Sequence, residues 1–206
     1  MLKLINILAL TIFISNCDKA PEAPKADATT AKEVKQVQGT SVKLDAQKSI
    51  IKWIGTKLKG KHNGTVKISD GEIIINEGKI VGGKFSIDMP TLESDDLKTD
   101  KDSKAKLEGH LKSEDFFDVQ KFPKATFEIT SISENTDGTS KVDGNLTIKG
   151  VSNGISFPAK IKVEGNKGTA KANFNINRQK WGITYPGQPD NLIRDEINFD
   201  LDLSTL

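Results

Sequence analysis

The stretch HLKSEDFFDVQKFPKATFEIT (His110–Thr130) decides what kind of fold this chain has. Ser113 is followed by two acidic residues, which favours a helix start because the free N–H groups of a first turn attract negative charge. Two adjacent phenylalanines then offer a large apolar surface within one turn. Pro123 ends any helix, and the residues after it alternate like a strand with one buried face. This arrangement suits a lid over a concave β structure better than a catalytic centre.

Alternation with period two continues over most of residues 41–206. Turn signals separate the runs at Ser69–Gly71, Asn76–Gly78, Asp137–Gly138 and Gly165–Gly168. About eight strands, each with one apolar face, predict an antiparallel meander that stacks on a second sheet or closes into a barrel. The apolar positions that share a face within each run are Val66, Ile68; Ile73, Ile75; Phe85, Ile87, Met89; Phe127, Ile129; Val142, Gly144, Leu146, Ile148; Ile155, Phe157; Ile161, Val163; Ala170, Ala172, Phe174, Ile176; and Ile197, Phe199, Leu201, Leu203.

Two regions interrupt the strands and are long enough to cover a barrel opening. Thr91–Phe117 is charged, with Leu107 and Leu111 four residues apart, and it predicts a helix over about 101–111 followed by a turn to Phe117. Gln179–Arg194 is a loop rich in proline and glycine that carries two aromatic residues. We expect the paired aromatics of both regions to act as a lid, although a single aromatic in such a loop more often plugs the barrel end.

The first 17 residues, MLKLINILALTIFISNC, combine Lys3 with about a dozen apolar residues and a cysteine. This apolar run is shorter than the roughly 20 residues of a membrane span, so it predicts a secretory signal. Ile14–Cys17 resembles a bacterial lipoprotein cleavage site, although Asn16 departs from the small residue usual before the cysteine. We therefore interpret residues 1–16 as a lipoprotein signal peptide and Cys17 as the lipidated residue. An uncleaved anchor, or an ordinary signal with an incidental cysteine, are the alternatives.

After Cys17, the segment up to residue 40 is rich in alanine, proline, lysine and threonine and has almost no large apolar side chains. Such a composition predicts a disordered tether with a reach on the order of 25 Å. No repeat or second change of composition follows, so residues 41–206 are predicted to form one domain. The sequence thus predicts an exported protein of the cell envelope or periplasm, held to the membrane by its N-terminal lipid.

Composition removes several classes of function. The 30 basic and 28 acidic residues are interspersed, without the basic stripe and interleaved aromatics of a nucleic-acid-binding protein. With two histidines and one cysteine, the chain has neither an intrachain disulfide nor a Cys/His metal site. No nucleophile lies in a recognisable motif, and no pair of carboxylates stands out. We predict no enzyme, no metal and no cofactor.

The interior of the predicted barrel mixes large residues with Gly144, Ala170 and Ala172. Small inward residues in a barrel of about eight strands leave room for one slender ligand. They also serve simply to fit the taper of a barrel or to let neighbouring aromatics pack. Alternation alone leaves both explanations open.

Two polar residues, Arg178 and His62, occupy positions that the alternation along their strands predicts to face the barrel interior. Arg178 at a strand end suits an anionic head group, but Asp195 has the matching parity on the candidate pairing strand, and a structural salt bridge explains both equally well. His62 suits hydrogen bonding to a head-group oxygen, or to a neighbouring loop carbonyl. His110 at a helix end is explained by the helix dipole.

Five motifs in order resemble the YceI-like family of lipid- and polyisoprenoid-binding proteins. They are WIGTKLKGKHNGTV (Trp53–Val66), GGKFSIDMPTL (Gly82–Leu92), HLKSEDFFDVQKFP (His110–Pro123), LTIKGVSNGISFPAKI (Leu146–Ile161) and NINRQKWGITY (Asn175–Tyr185). The resemblance covers about residues 41–206. It implies an all-β, lipocalin-like antiparallel barrel of about eight strands with a short helical segment near 101–117. It also implies a long apolar guest and no established catalytic activity.

We therefore predict binding of a long-chain amphiphilic lipid inside the barrel for storage, transport or shielding at the cell envelope. The expected guest is a polyisoprenoid or an isoprenoid quinone, with fatty acids or amides second. The alternative is an envelope interaction protein whose barrel is filled by its own side chains and which binds a protein partner. The oligomeric state stays open, a homodimer included. The predicted ligand-binding residues are Trp53, His62, Val66, Ile68, Phe85, Ile87, Phe116, Phe117, Phe127, Ile129, Leu146, Ile148, Phe157, Phe174, Ile176, Arg178, Trp181 and Tyr185.

Overall fold

The computed structural model describes residues 19–206, so the predicted signal peptide and Cys17 lie outside the described residues. Strands dominate these residues, with one α-helix and one 3₁₀-helix among them. In chain order the elements are β1 (Thr29–Thr30), β2 (Thr40–Lys43), β3 (Ile50–Lys57), β4 (Lys61–Asn76), β5 (Lys79–Ser94), α1 (Lys101–Lys112), β6 (Lys124–Glu134), β7 (Ser140–Ile148), β8 (Val151–Glu164), β9 (Lys167–Asn177), the 3₁₀-helix Arg178–Trp181, β10 (Gly187–Gln188) and β11 (Asn191–Ser204).

Eight of the strands form a closed antiparallel barrel. Each strand from β3 to β9 pairs with the next, β9 pairs with β11, and β11 returns to β3. The tight turns between strands occur where the sequence supplies residues that tolerate positive φ, as at Glu77 and Gly78 between β4 and β5. The predicted all-β fold, an antiparallel barrel of about eight strands with one short helix, is confirmed.

One predicted turn is wrong. Ser69–Gly71 lies inside β4, which runs without interruption from Lys61 to Asn76. The pairing of β4 with β5 shifts between Ile68 and Asp70, which marks a β-bulge. A bulge adds one residue to a strand, so the buried side chains change from the even positions Val66 and Ile68 to the odd positions from Gly71 onward. The same polar residues that signal a turn here serve to bend a long strand.

The helix α1 spans Lys101–Lys112, close to the predicted bounds of about 101–111, and it packs against the end of β5. The Asp100 carboxylate caps its first turn by accepting the Ser103 N–H at 3.1 Å. Ser113 does not begin a helix, as its acidic neighbours suggested, but ends α1, with its N–H and hydroxyl both donating to the His110 carbonyl. Within residues 19–206, no helix has both the length and the apolar character needed to cross a bilayer.

The wall of the barrel is split between β8 and β9. β9 pairs with β8 only along Lys160–Glu164, whereas Val151–Ala159 of β8 pairs with β7 on its other edge. Residues 21–32, which we name the N-terminal strap, fill this gap. On one side Thr29 and Thr30 pair with β8. On the other side the strap pairs with β9, whose Asn175 accepts the Ala26 N–H at 2.8 Å.

Several further contacts hold the strap in place. Ala26 is completely buried, Lys25 forms an ion pair with Glu196 at 2.5 Å, and the Asn175 side chain donates to the Pro21 carbonyl at 3.0 Å. The prediction of a disordered tether is therefore wrong for residues 21–32. Composition missed the strap because its stability rests on backbone hydrogen bonds to two free strand edges, which need no large apolar side chains.

Candidate functional site

A cavity of about 320 Å³ lies inside the barrel, at the end that α1 covers. Most of the side chains around it are apolar and come from the inward faces of the strands. Leu107 and Leu111 of α1 and Tyr185 of the following loop contribute to the same wall. A volume of this size falls within the range of about 300–1,000 Å³ typical of small-molecule sites.

Most of the predicted ligand-binding residues line this cavity. They are Trp53, His62, Val66, Phe85, Ile87, Phe116, Phe117, Phe127, Leu146, Ile148, Phe157, Phe174, Arg178 and Tyr185. Four others lie elsewhere: Ile129 lines a second, smaller cavity, and Ile68, Ile176 and Trp181 are buried outside both cavity walls. Parity identified the inward residues correctly but gave no information about how far along the barrel the empty space extends.

Five phenylalanines form a continuous layer across the barrel. The ring centroids of Phe85, Phe127, Phe157, Phe174 and Phe199 follow one another at 5.5, 5.6, 4.1 and 6.1 Å. We call this layer the phenylalanine belt. Below it lies a second cavity of about 60 Å³, and three belt residues line both cavities. The belt therefore forms the floor of the main cavity and separates it from the smaller one.

An aromatic cluster closes the opposite end of the cavity. The rings of Phe116 and Tyr185 both contact the His110 ring, with centroids 5.0 and 4.7 Å away, and lie 5.7 Å from each other. The His110 Nε2 atom lies 3.2 Å from the Asp115 carboxylate, at the last turn of α1. Phe116 and Phe117 are both buried. The two interrupting regions of the sequence thus meet in one cover over the cavity.

The two tryptophans have different roles. Trp53 lines the cavity and donates from its indole Nε1 to the Thr65 carbonyl at 3.4 Å. Trp181 is fully buried away from the cavity wall, where its Nε1 donates to the Leu146 carbonyl at 2.9 Å. The inclusion of Trp181 among the ligand-binding residues is therefore wrong in position. Trp181 instead plugs the barrel end, as expected for a single aromatic residue in this loop.

Small residues on the inward face have both of the roles considered from the sequence: some leave room for a ligand, and others let neighbouring aromatic rings pack. A Cβ atom at Gly144 would lie 2.3 Å from the Phe127 ring, so this glycine lets the belt pack. At Gly55, which lines the main cavity, a Cβ atom would meet nothing within 4 Å. Ala170 and Ala172 border the small cavity. Small residues thus create space at some positions and accommodate aromatics at others.

The Arg178 side chain is almost completely buried, and its donors are used within the protein. It donates to the carbonyls of Ile183, Ile193 and Arg194 at 2.7, 3.4 and 3.1 Å, and its Nη2 lies 3.4 Å from the Asp195 carboxylate. Burial lowers the pKa of the guanidinium, and the Asp195 charge opposes this effect. The salt bridge to Asp195, one of the two explanations that the sequence left open for Arg178, is present. Arg178 ties the loop before β11 to the barrel end.

His62 belongs to a chain of three polar side chains at the mouth. Its Nδ1 atom lies 2.8 Å from the Asp96 carboxylate, and its Nε2 atom lies 3.1 Å from the Lys57 ammonium group. Burial raises the pKa of Asp96, but hydrogen bonds from the Asn63 N–H, His62 and Ser94 outweigh it and hold the pKa below its ordinary value of 3.8. His62 lines the cavity, but its partners are side chains rather than the loop carbonyl considered from the sequence.

Sequence reasoning also missed part of the cavity wall. Gly55 and Lys57 continue the parity of Trp53 and would have followed from extending that strand. The hairpin formed by β10 and the start of β11 was predicted as a loop, and it brings Gln188 and Arg194 to the mouth. No alternation in the sequence marked that hairpin, because β10 has only two residues and pairs with only two residues of β11.

Comparison with known proteins agrees with this architecture. The sequence profile of the YceI-like domain matches residues 42–205. The chain belongs to the YceI-like family. A UPF0312 protein of Pseudomonas putida is 34% identical to this chain over 150 residues, which cover 69% of this chain and 71% of the relative.

Solved structures show the same fold. BcnA of Burkholderia cenocepacia matches with a TM-score of 0.63 and 21% identity, over 79% of this chain and 99% of BcnA. A polyisoprenoid binding domain from Saccharophagus degradans matches with a TM-score of 0.58 and 13% identity, over 82% of this chain and 98% of that domain. At these identities the two structures show that the fold is shared.

Proposed function

We propose that this protein binds the apolar tail of a long-chain amphiphilic lipid inside the barrel, with polyisoprenoids and isoprenoid quinones as first candidates and fatty acids or amides as second. The observation that carries the proposal is the cavity of about 320 Å³ with an apolar wall between the phenylalanine belt and the aromatic cover. Each methylene group moved from water into such a space contributes about 0.8 kcal/mol before the costs of binding are subtracted. A slender chain without polar groups suits this wall best.

Membership of the YceI-like family supports the proposal. So does the name of the Saccharophagus neighbour, a polyisoprenoid binding domain. The function we propose is binding without catalysis: the protein stores, carries or shields the lipid.

The alternative of a packed barrel that serves only as an interaction module finds less support. Such a barrel would fill its own interior, whereas the wall here leaves open space beside Gly55, where a Cβ atom would have no neighbour within 4 Å. Unfilled apolar volume destabilises a protein, so its presence favours a guest that occupies it.

Access to the cavity is proposed to run past the aromatic cover. Phe116 and Tyr185 come from two separate segments, and both of their rings contact the His110 ring. Displacing α1 together with the turn that follows it would open the cavity without breaking a pair of barrel strands. A Phe116→Ala, Phe117→Ala double variant is expected to speed both the uptake and the release of lipid, because it removes part of the cover.

We further propose that residues 1–16 are a lipoprotein signal peptide and that Cys17 carries the lipid that holds the protein at the cell envelope. The first strap contact lies at Pro21, only four residues beyond Cys17. Four residues span at most about 14 Å, so the barrel would lie close to the membrane surface. Palmitate labelling that persists in the wild type and vanishes in Cys17→Ser supports the anchor; equal labelling of both overturns it.

Tail binding can be measured through Trp53, which lines the cavity. A Trp181→Phe variant leaves Trp53 as the single tryptophan of the 206-residue chain. Titration of this variant with geranylgeraniol is expected to give a saturable fluorescence change at one equivalent. A Trp53→Phe variant, which retains only the remote Trp181, is the matched control and is expected to change little. If neither variant responds and no complex appears on gel filtration, the proposal fails.

A further inference from the structure

Two hairpin tips lie side by side at the end of the barrel where the cavity opens. One joins β3 to β4, and the other joins β10 to β11. The Leu58 N–H donates to the Leu192 carbonyl at 2.9 Å, and the Lys59 N–H donates to the Asn191 side chain at 2.9 Å. These hydrogen bonds make the two tips one surface, residues 57–61 and 188–192, which we name the tip platform. Asn191 also lines the cavity, so the platform forms part of the cavity rim.

The tip platform exposes apolar side chains. Leu192 is 44% exposed, Pro189 is exposed, and Leu58 is half-buried beside Leu192. A single exposed leucine on a protein surface is normal and by itself indicates nothing. Here the exposed apolar groups lie on the rim of a cavity with an apolar wall, where a lipid tail would cross from its source into the barrel. Their position, rather than their number, indicates a contact with lipid.

Basic residues surround these apolar groups. The platform carries Lys57, Lys59 and Lys61 against a single acidic residue, Asp190. Asp190 and Lys59 form an ion pair at 3.4 Å, with side chains that are 79% and 70% exposed. Because an exposed pair of this kind contributes little, it does not prevent Lys59 from facing another negative charge. The platform therefore combines a net positive charge with exposed apolar side chains.

The turns at the opposite end of the barrel carry the other sign. Three turns lie there, between β4 and β5, between β6 and β7, and between β8 and β9. Together with the strand ends that flank them, they contain the acidic residues Glu77, Glu134, Asp137 and Glu164 and the basic residues Lys79 and Lys167. The helix α1 beside the cavity has both signs, in ion pairs such as Lys104 with Glu108. A negatively charged surface thus attracts the platform and repels the opposite turns, which orients the cavity toward that surface.

We propose that the tip platform docks on an anionic lipid bilayer, with Leu192 and Leu58 entering the interfacial layer and Lys59 and Lys61 facing the negative surface. The inference rests on the proposed function and adds the source of the guest: the lipid passes from the bilayer past the aromatic cover into the cavity without crossing water. Basic and apolar side chains on one surface are what binding at such an interface requires. An acidic protein would also attract the lysines, but a bilayer fits a rim through which a lipid enters.

The test is flotation of residues 18–206 with lipid vesicles, since these residues keep the strap and the barrel and lack Cys17 with its proposed lipid. Vesicles of equal parts phosphatidylcholine and phosphatidylglycerol are compared with vesicles of phosphatidylcholine alone. Binding to the mixed vesicles should be at least about tenfold stronger and should weaken as salt is added, because salt screens exposed charges. Lys59→Gln combined with Lys61→Gln should weaken this binding about 20-fold, and Leu192→Ser should weaken it about fivefold.

Matched controls come from the opposite end of the barrel. Lys167→Gln removes an exposed lysine from the turn between β8 and β9, and Ile50→Ser removes a side chain that is 43% exposed at the start of β3. Both should change vesicle binding by less than about twofold, because they lie beyond the Debye length of about 8 Å from the docked surface. All variants should bind dispersed geranylgeraniol as the unsubstituted protein does, which reports that the barrel is intact. Only the platform variants should slow the uptake of geranylgeraniol from mixed vesicles.

The outcomes separate the two proposals. Absence of binding to mixed vesicles, or equal binding to both kinds of vesicle, overturns the docking surface and leaves tail binding from solution standing. Control variants that lose as much vesicle binding as the platform variants place the contact elsewhere and also overturn it. If geranylgeraniol enters the barrel neither from vesicles nor from solution, the proposed function fails, and docking fails with it as a route for lipid uptake.

Discussion

Gly55 offers a direct way to fill the cavity without straining the protein. A Cβ atom there would meet nothing within 4 Å, and Gly55 is not among the glycines with positive φ. In Gly55→Leu the new side chain adds four carbons, which occupy space that the tail would otherwise take. At about 0.8 kcal/mol for each methylene displaced, tail binding should weaken by about 3 kcal/mol, or roughly 100-fold.

The same variant should stabilise the protein without ligand. Burying a leucine side chain contributes about 1.5–3 kcal/mol, and removing a glycine from a strand interior adds about 0.5–1 kcal/mol. For a protein of this size the melting temperature should rise by about 5–10 °C. Gly109→Leu is the control, because Gly109 also has open space around its Cβ position but lies exposed on α1. Isothermal titration with geranylgeraniol and thermal unfolding measure both effects; unchanged affinity in Gly55→Leu would refute tail binding at this position.

Three further predictions concern the belt, the strap and the buried carboxylate of Asp143. Phe85 borders both cavities, so Phe85→Ala should join them, shift binding toward longer tails in a chain-length series, and cost about 3 kcal/mol in urea unfolding. Ala26→Asp should destabilise the protein by about 2–4 kcal/mol, because it puts a charge into the filled gap between β8 and β9, whereas Ala105→Asp on the exposed part of α1 should cost less than 1 kcal/mol. Burial raises the pKa of Asp143, but hydrogen bonds from Ser131 and Lys32 outweigh it and keep the pKa below the ordinary 3.8. The ionised carboxylate therefore adds to the free energy of unfolding at neutral pH, and this contribution is lost as the pH falls below about 3.8. In Asp143→Asn, the free energy of unfolding measured in urea should fall less steeply over the same acidic range.

Parity alone predicted much of the barrel, because side chains that alternate along a strand report directly which face is buried. Phe127, Phe157 and Phe174 were assigned to the interior in this way, and all three belong to the belt. The turn predicted at Ser69–Gly71 failed because a bulge and a turn use the same residue types. What distinguishes them is the pairing of the strand with its neighbour, which lies far away in sequence.

The candidate site was less predictable, because its key features depend on contacts between distant residues. Arg194 reaches the mouth through a bulge opposite Thr56, and no local pattern marks the register of two strands that lie over 130 residues apart. Lys57 resembles any surface lysine until His62 and Asp96 are brought beside it. The strap was missed for a related reason: composition measures the apolar area that a segment can bury, and it does not register free strand edges that accept a backbone.

The presence of a lipid in the barrel is tested most directly by native mass spectrometry of residues 18–206, which keep the strap and the barrel and lack the proposed lipid attachment site at Cys17. The protein is purified without detergent or organic solvent, and any bound molecule is then extracted and identified. Tail binding predicts a one-to-one adduct with a long apolar tail, present without further substitution and in Gly109→Leu and strongly reduced in Gly55→Leu. A mass equal to that of the bare chain, unchanged after incubation with polyprenols and polyprenyl phosphates, would contradict it.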